Sequence, residues 1–126
     1  MTDLKALVPG LDHPISIEET LSRVTVTLGG RVIAESEEAL TLRESTYPAV
    51  QYLPLADVAA DVLVPSDHTS YCPYKGKATY YSIKDGDDVV PDAVWTYVEP
   101  HKAVADIRDH VAFYVGRVEG LEVNDG

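Results

Sequence analysis

The side chains best suited to chemistry lie between Asp67 and Ser82, where the chain reads DHTSYCPYKGKATYYS. The only cysteine, Cys72, has Lys75 three residues after it and His68 four before it. A thiolate becomes a nucleophile where nearby cations lower its pKa, so Cys72, His68 and Lys75 form the candidate catalytic set. His68 could serve instead as a general base or a proton-switching ligand contact. Each residue also has a plainer reading. A solitary cysteine packs as a small hydrophobe, a loop histidine bonds to nearby backbone, and a lysine before glycine sits in solvent at the tip of a turn. Pro73 holds Cys72 extended, which opposes a helix bringing all three residues onto one face.

Around this stretch, Tyr71, Tyr74, Tyr80, Tyr81, Trp95 and Tyr97 could line a planar or apolar ligand, or pack with their hydroxyls at a rim. Adjacent strand residues point to opposite faces, so Tyr80 and Tyr81 cannot share one wall. The same alternation turns one of Arg43 and Glu44 inward, and a charge there needs a partner. Lys75-Gly76 reverses the order of the phosphate loop GxxxxGK[ST], and GxSxG, HExxH, GxGxxG and calcium-loop patterns are absent. Asp57, Asp61 and Asp67 have no spacing that marks a metal site, so neither a metal nor a cofactor is assigned.

Composition limits the classes further. The 126 residues are 45% hydrophobic, enough for one core. One cysteine excludes an intramolecular disulfide and a multi-thiolate zinc site. Twenty-one acidic residues against 10 basic, formally −11, would repel phosphate backbones, so nucleic acid is not an expected partner. No apolar run has the length of a signal peptide or membrane span, and the protein reads as cytoplasmic.

The elements that must hold these residues are mostly strands. Residues 1–14, with Pro9, Gly10 and Pro14, read as an arm, and residues 15–126 as a single domain. Ile15 and Ile17 alternate with polar residues, as do Val24, Val26 and Leu28. Gly29-Gly30 supplies a hairpin turn into Arg31–Ala34. Ala39 to Glu44 and Ala49 to Leu53 form a second hairpin, ended by Pro54. Ala59 to Val64 reads as a strand closed by Pro65-Ser66-Asp67. Ala78 to Ile83 turns at residues 84–88 to pair with Ala93–Val98. Ala103, Val104, Ile107 and Val111 share one face of a short helix. Residues 111–115 and 117–123 are weaker strands.

At HTSYCPYKGKATYYS the sequence resembles the DUF427 family of small bacterial proteins. The resemblance extends through VTVTLGGRVIAE at 24–35, Leu42-Arg43-Glu44, Tyr52-Leu53-Pro54 and Ala93–Tyr97, covering roughly residues 13 to 123. It implies a mainly β domain similar to Mss4-like folds, a curved antiparallel sheet of tent or open-barrel form with one short helix in the C-terminal half. Several Mss4-like relatives bind zinc through paired CxxC motifs, from which this chain departs. A nucleotidyltransferase label is sometimes attached to the family, but the glycine-serine and paired-aspartate signature of that class is absent here.

Three functional readings follow. The first is a small-molecule binding or catalytic pocket near the HTSYCPYKG loop, with Arg43, Glu44, Thr69, Tyr81 and Trp95 as ligand contacts. The second is a non-catalytic structural or interaction module, in which Pro73 and Gly76 fix a difficult loop while Cys72 and the tyrosines pack. The third is a nucleotidyltransferase-like enzyme. A small molecule is the expected partner, neither nucleic acid nor membrane is, and a homo-oligomer is compatible with all three.

Overall fold

The computed structural model describes residues 6–125, and within them ten strands and two short 3-10 turns. Met1–Lys5 of the expected arm, and Gly126, lie outside the described residues. The strands are β1 (Ile15–Glu19), β2 (Val24–Leu28), β3 (Arg31–Ser36), β4 (Leu40–Glu44) and β5 (Val50–Pro54), followed by β6 (Leu63–Cys72), β7 (Gly76–Asp85), β8 (Asp88–Thr96), β9 (His110–Phe113) and β10 (Leu121–Asp125). All pairings are antiparallel. Seven strands form an open sheet in the order β1-β4-β5-β9-β8-β7-β6, and β10-β2-β3 form a smaller one. The mainly β expectation holds, with two packed sheets and no closed barrel. No helix among the described residues is long and apolar enough to cross a membrane.

Alternation decides what each strand buries. In β2, Val24, Val26 and Leu28 point inward while Thr25 and Thr27 stay half-exposed. They meet Leu53, Ile83, Val94 and Val111 of the large sheet in a first core. The opposite face of the large sheet carries a second core of Leu42, Tyr52, Tyr80, Tyr97, Val104 and Ile107. Neighbours in one strand thus serve different cores: Leu53 the first and Tyr52 the second, Val111 the first and Ala112 the second. Each fully buried Val or Leu contributes about 1.5–3 kcal/mol, so these two cores hold the fold.

The expected hairpins form at Gly29-Gly30, both with positive φ, and between β4 and β5. Two expectations change. The helix suggested by Ala103 to Val111 is a 3-10 stretch over Lys102–Ile107, interrupted at Val104 (φ −126°, ψ 28°). Val104 and Ile107 still bury against the second core, but Val111 belongs to β9. Asp109 at φ 62° turns the chain between the two, and so short a segment cannot hold an α-helix on propensity alone. The strand expected over Ala59 to Val64 begins only at Leu63, and Pro65-Ser66-Asp67 does not end it. The strand passes through that point and continues to Cys72.

It continues because the ladder bulges there. Pro65 pairs with Tyr81 and Thr69 with Thr79, so Ser66, Asp67 and His68 all oppose Tyr80. On the other side of β7, Tyr81 pairs with Val94 and Ile83 with Val90, so Pro91, Asp92 and Ala93 oppose Ser82. Proline cannot donate to a ladder and is tolerated where pairing is interrupted, which places Pro65 and Pro91 at the two irregularities. Bulges re-aim side chains, and these two flank one short piece of β7.

Candidate functional site

The β6–β7 hairpin carries nearly all the sequence candidates, but the fold sorts them into two places. At its tip, Lys75 folds back instead of standing in solvent. Its Nζ donates to Glu44 Oε1 at 2.5 Å, and its side chain is 13% exposed. The other carboxylate oxygen, Oε2, is 2.7 Å from His13 Nε2. Glu44 is the inward member of the Arg43–Glu44 pair, and Arg43 at the neighbouring position is exposed. Burial pushes the Glu44 carboxyl up, but hydrogen bonds and charge from Lys75, then His13, outweigh it and hold the group below the usual carboxylate range.

Aromatic rings enclose this cluster. The Tyr74 ring stacks on His13 with centroids 3.9 Å apart, and Lys75 Nζ lies 5.8 Å from the Tyr97 ring centroid. Burial raises the Tyr52 and Tyr97 hydroxyls above the usual tyrosine range, so both remain neutral. Backbone geometry locks the tip as well. Gly76 has φ 112°, and a Cβ there would sit 3.3 Å from the Glu99 carbonyl oxygen. The His101 amide donates to the Lys75 carbonyl at 2.9 Å, and the Leu7 amide to that of Pro73 at 2.9 Å. Both Glu44 oxygens and the lysine ammonium are engaged, so the cluster offers neither a free base nor a free cation. Cys72, half-buried, packs against the second core.

The second place is the flank of the hairpin, at the paired bulges. Asp92 adopts φ 50°, uncommon for a residue with a Cβ. Ser66 Oγ donates to Asp92 Oδ1 across β7, while the Asp92 amide donates to Ser82 Oγ at 3.1 Å. The His68 amide in turn donates to Ser66 Oγ at 3.1 Å. This network pins β6 to β8 and leaves the His68 ring over Tyr80, with centroids 4.5 Å apart. Among the described residues, nothing hydrogen-bonds to the His68 imidazole.

His68 stands on the wall of an open cleft of about 650 Å³, shared with Tyr80, Asp92, Tyr114, Arg117 and Glu119. The Arg117 guanidinium carbon lies 4.6 Å from the Tyr114 ring centroid, and Arg117 makes no ion pair among the described residues. Burial and the neighbouring Tyr80 push the Tyr114 hydroxyl up to about 12, with Arg117 pulling the other way, so at neutral pH it remains a hydrogen-bond donor. Trp95 stacks obliquely on Tyr114 at 4.3 Å and donates Nε1–H to Tyr52 Oη at 3.1 Å.

Of the sequence candidates, Lys75 and Glu44 therefore meet at the tip, while His68 approaches Trp95 through Tyr80 and Tyr114. No hydrogen bond or ring contact joins His68 to Lys75. Thr69 is exposed on β6 opposite Thr79, and Tyr81 packs toward the first core, on the far side of the sheet from Tyr80. His13, Asp92, Tyr114 and Arg117 were not among the candidates. A proline within each of two strand-like runs was the available signal for the bulges and for Asp92. His13 had none, since its partner Glu44 lies 31 residues away. Among the described residues, no three His, Cys, Asp or Glu side chains converge to hold a metal.

Fold and site together define a small mainly β protein of two packed antiparallel sheets, with a closed ion cluster at a hairpin tip and an open cleft on its flank. The chain belongs to the family described as a domain of unknown function, DUF427, whose model matches residues 16–124. Glu44, His68, Lys75 and Arg117 lie inside the matched region, and His13 lies just before it. No curated protein matches the chain.

Proposed function

We propose that the protein binds a small molecule in the cleft between His68 and Arg117. The observation that carries this reading is the cleft itself: about 650 Å³ of open space walled by an imidazole and by a guanidinium that no carboxylate among the described residues holds. That volume lies within the usual range for ligand sites, and polar groups set among the Tyr80 and Tyr114 rings and the aliphatic Val90, Pro91 and Val118 suit orientation of a bound molecule. The strained Asp92 and the paired bulges support it, because such irregularities persist where surrounding structure enforces them and they cluster at functional sites. His68 is the candidate for any acid–base step there.

The tip of the hairpin favours a different role. A carboxylate saturated by Lys75 and His13, beside a glycine that a Cβ would crowd, suits a structural clasp, and this is the structural-module reading confined to half of the motif. The test is a thermal-shift panel of small acids, amines, sugars and magnesium nucleotides at millimolar concentration. A ligand well above its Kd raises Tm through mass action. At least one class should raise Tm in the native chain and fail to do so in His68→Ala. No shift from any class would overturn the binding reading, and a shift from magnesium nucleotides alone would favour nucleotidyl transfer.

A further inference from the structure

Tyr114 and Arg117 border two cavities at once. Besides the His68 cleft, they line a slot of about 570 Å³ walled by Val50, Trp95, Phe113, Val115 and Val123. The slot exists because β5 changes partners. Val50–Tyr52 pair with β4, whereas only Leu53 and Pro54 pair with β9. Before Leu53, β5 stays with β4 while β9 stays with β8, and Val123 of β10 reaches into the gap from the smaller sheet. The Trp95 indole has already given its N–H to Tyr52, so it offers the slot only an apolar ring.

The two cavities differ in chemistry and meet at one cation. On the His68 side lie an imidazole, Asp92 and Glu119; on the Trp95 side the walls are mainly aliphatic and aromatic, with Gln51 and Asp125 as further polar members. Asp92 is already bonded by Ser66, whereas Arg117 has no ion-pair partner among the described residues. With a formal charge of −11, a cationic ligand would be attracted over much of the surface, but an anionic one is favoured only where a cation is exposed.

We infer that the ligand is an amphiphilic carboxylate: its head lies against Arg117 and His68, and its apolar body occupies the slot beside Trp95, with Tyr114 as the threshold between them. This inference rests on the cleft being a ligand site. It adds the chemical class of the ligand and a second compartment.

Trp95 is the only tryptophan, so its emission reports directly on the slot. The experiment titrates the full chain with phenylbutyrate and with its neutral counterpart phenylbutanol, in native protein and Arg117→Gln. The acid should shift Trp95 emission saturably and bind roughly tenfold more tightly than the alcohol, since one charge-assisted contact supplies about that factor. Arg117→Gln should remove the difference while leaving Tm and the unliganded emission unchanged. Equal binding of acid and alcohol, or an unaltered acid affinity in Arg117→Gln, overturns the carboxylate assignment. His68-dependent thermal shifts by other compounds would then still support the cleft. Absence of any thermal or fluorescence response sinks both readings. Trp95 emission that changes with protein concentration alone would mean a second copy fills the slot, and also overturns the inference.

Discussion

The tip and the flank of the β6–β7 hairpin draw on the same short sequence and reach opposite states. At the tip, Lys75, Glu44 and His13 consume one another's hydrogen-bonding capacity, and Tyr74 and Tyr97 close over them. On the flank, two bulges interrupt the ladder, and His68 lines a cleft with Arg117, which has no carboxylate partner among the described residues. Reactive residue types thus say little about where chemistry occurs. What separates the two regions is whether the fold has already satisfied those groups, and backbone irregularity rather than composition marks the place where it has not.

The sharpest way to break this contrast is at Gly76. Gly76→Ala places a Cβ against the Glu99 carbonyl at a φ of 112°, and should cost about 3 kcal/mol in urea unfolding while leaving the flank's ligand response intact. A cost under about 0.5 kcal/mol, the range of neutral surface changes, would mean that the tip is not a constrained clasp. Lys75→Met comes next. It leaves Glu44 half-buried with only His13, and should cost about 2 kcal/mol, less than a fully buried pair because solvent reaches the cluster. Adding Glu44→Gln should recover part of that loss, and a double-mutant cycle measures the coupling.

Acid sharpens the comparison further. The Glu44 carboxyl is held below its usual range in the folded state, so its contribution is present above the unfolded pKa and lost as pH falls through the folded one. The stability gap between native protein and Glu44→Gln should therefore shrink as pH drops below about 4. A gap that widens on acidification would contradict the ion cluster. The smallest effects belong to the exposed His68 and the packed Cys72. His68→Ala should change stability by less than about 0.5 kcal/mol. Cys72, packed on the second core, should react with iodoacetamide more slowly than a free thiol; faster reaction would restore it as a nucleophile.

Much of this was legible before the structure. Alternation located β1 and β2, and implied that one of Arg43 and Glu44 turns inward and requires a partner. Gly29-Gly30 marked its hairpin because both glycines take positive φ. What local pattern could not supply was pairing across distance: Lys75 and His13 each lie 31 residues from Glu44. Pro65 resembled a strand terminator because proline does break ladders, yet the chain absorbed it in a bulge and continued. The apolar spacing from Ala103 to Val111 imitated a helix because a 3-10 turn followed by a strand can bury the same residues. Arg117 carried no local signal, since its importance comes from lying between two cavities built by remote strands.

The division between clasp and cleft is tested most directly by one paired measurement: Tm with and without phenylbutyrate for native protein, His68→Ala and Lys75→Met. The account predicts that His68→Ala keeps the unliganded Tm and loses most of the ligand-induced rise. Lys75→Met should lower the unliganded Tm by several degrees, roughly as a 2 kcal/mol loss implies, and retain the rise. The reverse pattern, with ligand response lost in Lys75→Met and kept in His68→Ala, would contradict it.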